Sequence, residues 1–230
     1  AMKRRTFLKT AGYVGAGTAI SRSLTAPAIA RGQVRWKLIT AWPKNFPALG
    51  TGTQRIANSI RDMSDGRMEV KVYGAGELVP AFEVFDAVRE GVAEMGHDAP
   101  YYWIAKHPVM PFFCSVPGGL TAHEHAAWIY FGGGQILWDE LYAGFGLKAF
   151  LAGSGGCNVG GWFRKEIGGL EDFRGLRMRI PGLGGEVMAR LGAVPVNLPG
   201  SEVLAALQTG AIDAAEWIAP YNDLAFGFHK

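Results

Sequence analysis

Cysteine is nearly absent: Cys114 and Cys157 are the only two in 230 residues. They make no CxxC pair and no Cys/His set with zinc spacing, which excludes a structural zinc site of that kind. Spacing leaves open whether the two pair or stay as free thiols. Nucleotide fingerprints are missing as well. Pro181-Gly182-Leu183-Gly184-Gly185 precedes a helix but lacks the Lys-Ser/Thr of a P-loop and a full GxGxxG. His123-Glu124-His125 sets its histidines two apart, so they cannot share a helix face as the i, i+4 pair of a zincin does. His97-Asp98 could serve as a dyad, but no serine or cysteine lies in a nucleophile elbow to accompany it. Hydrolase, nucleotide-binding and transition-metal chemistry therefore have no visible machinery here.

Basic runs are confined to the start of the chain. Lys3-Arg4-Arg5-Thr6-Phe7-Leu8-Lys9 is a twin-arginine start, followed by a small, apolar run from Thr10 to Ile20 and then Ala28-Ile29-Ala30. This pattern predicts a removable export signal over residues 1–30, with an apolar run too short to span a bilayer. Its loss takes Lys3, Arg4, Arg5, Lys9 and Arg22 away, so 23 basic residues against 20 acidic become 18 against the same 20. The remaining chain is near neutral, which gives no electrostatic reason to expect nucleic acid or an anionic membrane as partner. Small solutes or another protein are the partners to look for.

Taken in order, Gln33–Trp42 alternates and predicts a strand, Thr51–Ser64 a helix, and Met68–Tyr73 a second strand, giving the β-α-β unit of a parallel sheet. Pro80–Glu90 predicts a helix, Val92–His97 a strand, Ala99–Trp103 an aromatic loop, and Pro108–Pro117 an apolar connector. Thr121 can cap a helix over 122–131, and another follows from Gln135 to Tyr142. GLKAFLAGSGG then reads as a strand entering a glycine loop. Strands are expected at Leu176–Ile180, Val194–Asn197 and Ala211–Ile218, and helices at 185–191 and 201–209.

An internal similarity organises this list. PAFEVFDAVREG (Pro80–Gly91) matches PGSEVLAALQTG (Pro199–Gly210) in register, and each is followed by a short strand with an acid and then Ala-Pro-Tyr, at Ala99–Tyr101 and Ala219–Tyr221. Two related lobes would place both Ala-Pro-Tyr loops at carboxyl ends of strands, where open α/β sheets bind ligands.

Three positions could carry chemistry. Arg179 lies in an otherwise apolar strand, so its charge calls for an anion; the alternatives are a ligand carboxylate or a structural acid such as Glu186 or Asp213. Glu216 beside Trp217 could offer hard oxygen to a cation, or be a surface acid next to a core indole. Asn158 in SGGCNVGGWF is flanked by glycines that permit close approach to a ligand, or that simply make a turn.

The twin-arginine start, AWPKNFPALG, YGAGELVPAFEVFDAVREG, APYYW, GGWFRKEI, LRMRIPGLGGEVMARLGAVPV and LPGSEVLAALQTGAIDAAEWIAPYND together resemble the periplasmic solute-binding subunit of a TRAP transporter, in the branch that binds 2-oxo or 2-hydroxy monocarboxylates. The resemblance implies an α/β, two-lobed periplasmic solute-binding fold with mixed, mostly parallel sheets flanked by helices. Its lobes would be 31–125, with 211–230 returning to the first, and 126–210. It further implies that Arg179 grips the ligand carboxylate, that Glu216 and the Trp217 carbonyl help hold Na⁺ or Ca²⁺, and that Asn158 stands where the branch has glutamine. Tyr101 or Tyr102 would face the ligand from the other lobe. Function would then be binding, not catalysis: a small carboxylate such as pyruvate or lactate, carried in the periplasm to the TRAP permease. Members of the family continue beyond the equivalent of Lys230, and in this branch dimerise through a terminal helix, so the resemblance implies a shortened chain and a homodimer only in the full-length form.

Overall fold

The computed structural model describes residues 32–230; the export signal expected over 1–30 lies outside the described residues. Strand β1 (Val34–Thr40) leads through α1 (Leu49–Met63) to β2 (Met68–Tyr73), then through a 3-10 turn (Ala81–Glu83) and α2 (Val84–Arg89) to β3 (Met95–His97). The three strands are parallel in the order β2-β1-β3. Period-two geometry divides the faces of β1. Leu38 packs with Ala57 of α1 and with Val70 and Val72, while its neighbour Ile39 joins Val84, Phe85 and Ala93 on the other side.

After two helices, α3 (Ala122–Phe131) and α4 (Gly134–Ala143), comes a second sheet. It contains β4 (Trp162–Phe163), β5 (Arg177–Arg179), β6 (Val194–Val196) and β7 (Ala214–Ala215), in the order β4-β7-β5-β6. Helix α5 (Gly182–Arg190) joins β5 to β6, and α6 (Gly200–Thr209) joins β6 to β7. Strand β5 runs parallel to β6 and β7, and only β4 is antiparallel. The sheets are thus mixed and mostly parallel, as expected.

Both sheets are built on the same βαβαβ path, with the first strand in the middle. The helix pair seen in the sequence holds its match at the level of single dihedrals. Pro80 (φ −55°, ψ 151°) and Pro199 (φ −58°, ψ 146°) open the two segments. Gly91 (φ 76°) and Gly210 (φ 72°) close them in the left-handed region that favours glycine. The Thr121 cap is also present: its hydroxyl accepts the Glu124 amide while the Glu124 carboxylate accepts the Thr121 amide, 2.8 Å away.

Three expectations need correction. GLKAFLAGSGG forms no strand, because a strand needs an adjacent ladder and here the Ala149 carbonyl accepts the Gln135 side-chain amide instead. The strand expected over 211–218 pairs only at Ala214–Ala215. Beyond it the Glu216 and Trp217 carbonyls accept side chains, from Arg179 and Asn158 respectively, and so leave the ladder. The two Ala-Pro-Tyr loops are helical starts: Pro100–Trp103 is a 3-10 turn, and α7 (Pro220–Phe226) was not foreseen. Proline at the first helical position has its φ already set and lacks only an amide that would go unpaired there.

Residue 211, the expected return to the first lobe, falls before β7, which belongs to the second sheet. The chain then reaches the first half through α7. Phe226 stacks on Phe46 at 4.2 Å, and Asn222 donates to the Pro47 carbonyl at 2.8 Å.

Candidate functional site

Arg179 ends β5 and is fully buried. Its Nε donates to the Leu198 carbonyl (3.0 Å), Nη1 donates to the Glu216 carbonyl (2.6 Å), and its guanidinium lies 4.5 Å from the centre of the Trp217 ring. The structural partners suggested by spacing are not its partners: Asp213 is held by Arg177 through two bonds of 2.9 and 2.7 Å, and Glu186 forms no ion pair among the described residues. The nearest carboxylate oxygen, Glu216 Oε2, stands 3.5 Å from Nη1, too far for a strong ion pair. Nη2 is buried and has no hydrogen-bond partner among the described residues. A buried charged donor left unmet costs at least about 1–3 kcal/mol, so this edge of the guanidinium has the chemistry to take an anion.

Glu216 follows β7 and is 8% exposed, so it is not a surface acid. Burial pushes its carboxyl up to about 7, against the pull of Arg179 and of the Asn158 hydrogen bond, with Asp223 adding to the rise. Asn158 Nδ2 donates to Glu216 Oε1 (2.6 Å) and to the Trp217 carbonyl (3.2 Å). One carboxylate, one main-chain carbonyl and one side-chain amide therefore converge. All three can present hard oxygens once the amide turns its Oδ1 inward, which suits Na⁺ or Ca²⁺ better than a soft metal.

Tyr101 and Tyr102 sit on the 3-10 turn after β3, with ring centres 4.7 Å apart. Tyr102 is buried among Trp42, Phe82 and Trp103, whereas Tyr101 is half-buried and packs on Gly182 at the start of α5. Burial raises the Tyr101 hydroxyl well above its ordinary range and the Tyr102 hydroxyl to about 12, and in both cases the Arg179 charge opposes the rise. The tyrosines therefore stay neutral and close enough to Arg179 to feel its field. All six residues singled out in the sequence, Arg179, Asn158, Tyr101, Tyr102, Glu216 and Trp217, meet in one region.

Residues 40–230 match the model of the bacterial extracellular solute-binding protein family 7 (DctP). The chain belongs to that family. Among its relatives is a monocarboxylate 2-oxoacid-binding periplasmic protein of Nostoc sp. (strain PCC 7120), 46% identical over the whole of this chain and 64% of the relative. A TRAP periplasmic solute-binding protein from Pseudoalteromonas atlantica, solved with sodium and pyruvate, is 46% identical, with a TM-score of 0.84 over 86% of this chain and 60% of that one. Another from Colwellia psychrerythraea, solved with calcium and pyruvate, is 44% identical, with a TM-score of 0.83 over the same shares. The chain thus spans about 60–64% of the length of these family members, and its fold is theirs.

The candidate site has contributors that sequence reasoning missed. Leu198 supplies the carbonyl on Arg179 Nε, Trp162 and Asp223 join by a 2.8 Å hydrogen bond, and Val159 donates to the Ile218 carbonyl at 2.8 Å. Asp223 carried one usable signal, an acid in the Ala-Pro-Tyr-Asn-Asp run; the carbonyl of Leu198 carried none. Both cysteines are free, Cys114 half-buried and Cys157 exposed, and burial pushes the Cys114 thiol up to about 12.

Proposed function

We propose that this protein binds a small 2-oxo or 2-hydroxy monocarboxylate such as pyruvate or lactate, together with Na⁺ or Ca²⁺, and delivers it to a TRAP-type membrane permease. The observation that carries this reading is the unpartnered Nη2 of the fully buried Arg179, next to a Glu216–Trp217–Asn158 oxygen set. Arg179 takes the carboxylate by its free edge. Glu216, the Trp217 carbonyl and Asn158 would hold the cation, which would supply positive charge beside the bound carboxylate. The Trp217 ring walls the guanidinium, and Tyr101 closes the site from the turn after β3. Binding of this kind needs neither proton transfer nor a covalent step, so we assign no enzymatic role.

The two sheets would be the cores of the two lobes, the first over 31–125 and the second from 126 through β7, with the segment after β7 crossing back. Export would follow the twin-arginine route. The relatives named above support this reading by what they hold, pyruvate with sodium or calcium.

Titration of the chain with pyruvate, lactate and longer 2-oxo acids, with and without Ca²⁺ or Na⁺, tests it through tryptophan fluorescence. Trp217 lies against Arg179, so occupancy should change its emission. Saturable, cation-dependent binding that Arg179→Ala abolishes is the expected result. No binding under any of these conditions sinks the proposal.

A further inference from the structure

Asp223 is fully buried in α7, and its carboxylate meets two neutral donors. Oδ1 accepts the Ile218 amide at 3.1 Å and Oδ2 accepts the Trp162 indole N–H at 2.8 Å. Among the described residues no lysine, arginine or histidine forms an ion pair with it. A buried carboxylate without a counter-charge is expensive, and an apolar side chain would close a helix turn at less cost. What an apolar residue could not do is hold two donors from different segments at once.

Those two segments are the arms of the cation site. Ile218 directly follows Trp217 and Glu216, while Trp162 lies four residues after Asn158, across Gly160 and Gly161. Gly161 has φ 132° and sits so close to Met178 and the Ala215 carbonyl that a side chain there would collide, so the arm itself supplies little stiffness beyond its contacts. The Val159 amide to the Ile218 carbonyl is a further link between the arms.

We propose that Asp223 is a positioning residue: through Trp162 and the Ile218 amide it fixes the spacing between Asn158 and the Glu216–Trp217 oxygens. It touches no ligand, and the proposal rests on the binding function given above. Arg179 is anchored by β5 and the Leu198 carbonyl, neither of which Asp223 touches, and shares with the arms only the Glu216 carbonyl and the Trp217 ring. Loosening the arms should therefore damage the cation site first and the carboxylate grip much less. Outer partners that orient metal ligands are typically worth about 10-fold or more in metal affinity.

The test compares wild type, Trp162→Phe and Asp223→Asn by calorimetry, first with CaCl₂ in sodium-free buffer, then with the Tris salt of pyruvate at saturating Ca²⁺, alongside melting temperatures. Trp162→Phe leaves the carboxylate in place and removes one donor, so it guards against a variant that fails to fold. The expected result is Ca²⁺ affinity about 10-fold weaker in both variants, with pyruvate affinity at saturating Ca²⁺ changed far less. Unchanged Ca²⁺ affinity, or equal losses of both affinities in step with the melting temperature, overturns the positioning role. A wild-type chain that takes up neither Ca²⁺ nor pyruvate overturns the binding function, and this role with it, whereas a binding wild type with indistinguishable variants removes the positioning role alone.

Discussion

In the first βαβαβ unit the position matching Arg179 is Ile39, and the position matching Glu216 is His97. The match follows from register: Ile39 lies beside Gly96 as Arg179 lies beside Ala215, and His97 and Glu216 come next along their strands. Ile39 is a core residue. His97 is half-buried and its Nδ1 is met by the Trp42 indole at 3.1 Å and by the Thr53 hydroxyl. At this strand end the first unit thus meets its imidazole internally, while the second keeps a guanidinium with a free edge beside a carboxyl pushed up to about 7. One backbone design places a strand end where a ligand can be met; whether it binds is decided by what that strand end leaves unsatisfied.

The most severe way to break the comparison is to give the second unit the first unit's residue. Arg179→Ile removes a charged, potentially bidentate donor worth about 1.5–3 kcal/mol per hydrogen bond, so carboxylate affinity should fall by roughly 100-fold or more. Calorimetry with pyruvate at saturating Ca²⁺ measures it. The same change leaves Glu216 buried without a cation nearby, and the melting temperature should drop at neutral pH. Wild-type affinity in Arg179→Ile would mean that the free guanidinium edge is not the recognition element.

Acid and base behaviour offers a second break. The Glu216 carboxyl is raised from 4.5 to about 7, so the folded state holds a proton that the unfolded state has released across that window. Stability contributed by this proton is present below pH 4.5 and is lost as pH rises toward 7, on the order of 3 kcal/mol at most. In the first unit the signs oppose each other. Burial raises Asp98 to about 6, which also favours lower pH, but it lowers the His97 imidazole to about 4, which favours higher pH over nearly the same window. The two neighbours largely cancel, leaving Glu216 to set the trend. With chelator and no sodium, thermal melts between pH 4.5 and 7 should show falling stability for the wild type and a flatter profile for Glu216→Gln. A wild-type profile that is flat, or one that Glu216→Gln leaves unaltered, removes Glu216 as the source.

How much of this was legible before any coordinates depended on whether the signal was local. Parallel β-α-β order, the paired helices and the Thr121 cap follow from periodicity, proline and glycine positions and capping chemistry, and each is present. Arg179 and Glu216 were visible because charge inside an apolar run is anomalous. The strand expected over 211–218 failed because two side chains remote in sequence, Arg179 and Asn158, took the carbonyls a ladder would have used. Trp162 and Leu198 were illegible for the same reason, and Asp223 showed only as an acid in the Ala-Pro-Tyr-Asn-Asp run: their roles are main-chain or long-range hydrogen bonds, with no periodicity to announce them.

The units meet at Gly182, and a smaller effect is expected there. Its φ of 60° disfavours a side chain, and a Cβ would stand 2.7 Å from Tyr101 Cβ. Gly182→Ala should cost roughly 1–3 kcal/mol of stability and displace Tyr101. Gly184→Ala is the matched control: its backbone is not in that region, and its Cβ would meet the flexible end of Ile180 at 3.0 Å. Chemical denaturation of both variants measures the difference, and equal costs would mean that the contact across the units is not tight.

The smallest effect sharpens the comparison at its most similar point. Glu94 and Asp213 each precede the third strand of their unit and accept a main-chain amide from the first, Lys37 at 2.7 Å and Arg177 at 3.1 Å. In both units the basic side chain at the same position lowers the carboxyl, after the stronger effect of a hydrogen bond. They differ in the cation. Arg177 grips Asp213 through two nitrogens, whereas the Lys37 ammonium turns to the Val92 carbonyl and leaves Glu94 only the amide and a distant charge. A planar fork gains more from a carboxylate than a point charge does, even at the surface. Asp213→Asn should therefore lower the melting temperature by a few degrees and Glu94→Gln by less, with the gap narrowing in high salt as screening weakens the ion pair. A larger loss at Glu94 would show that the main-chain bond, not the arginine fork, is what holds these strand ends together.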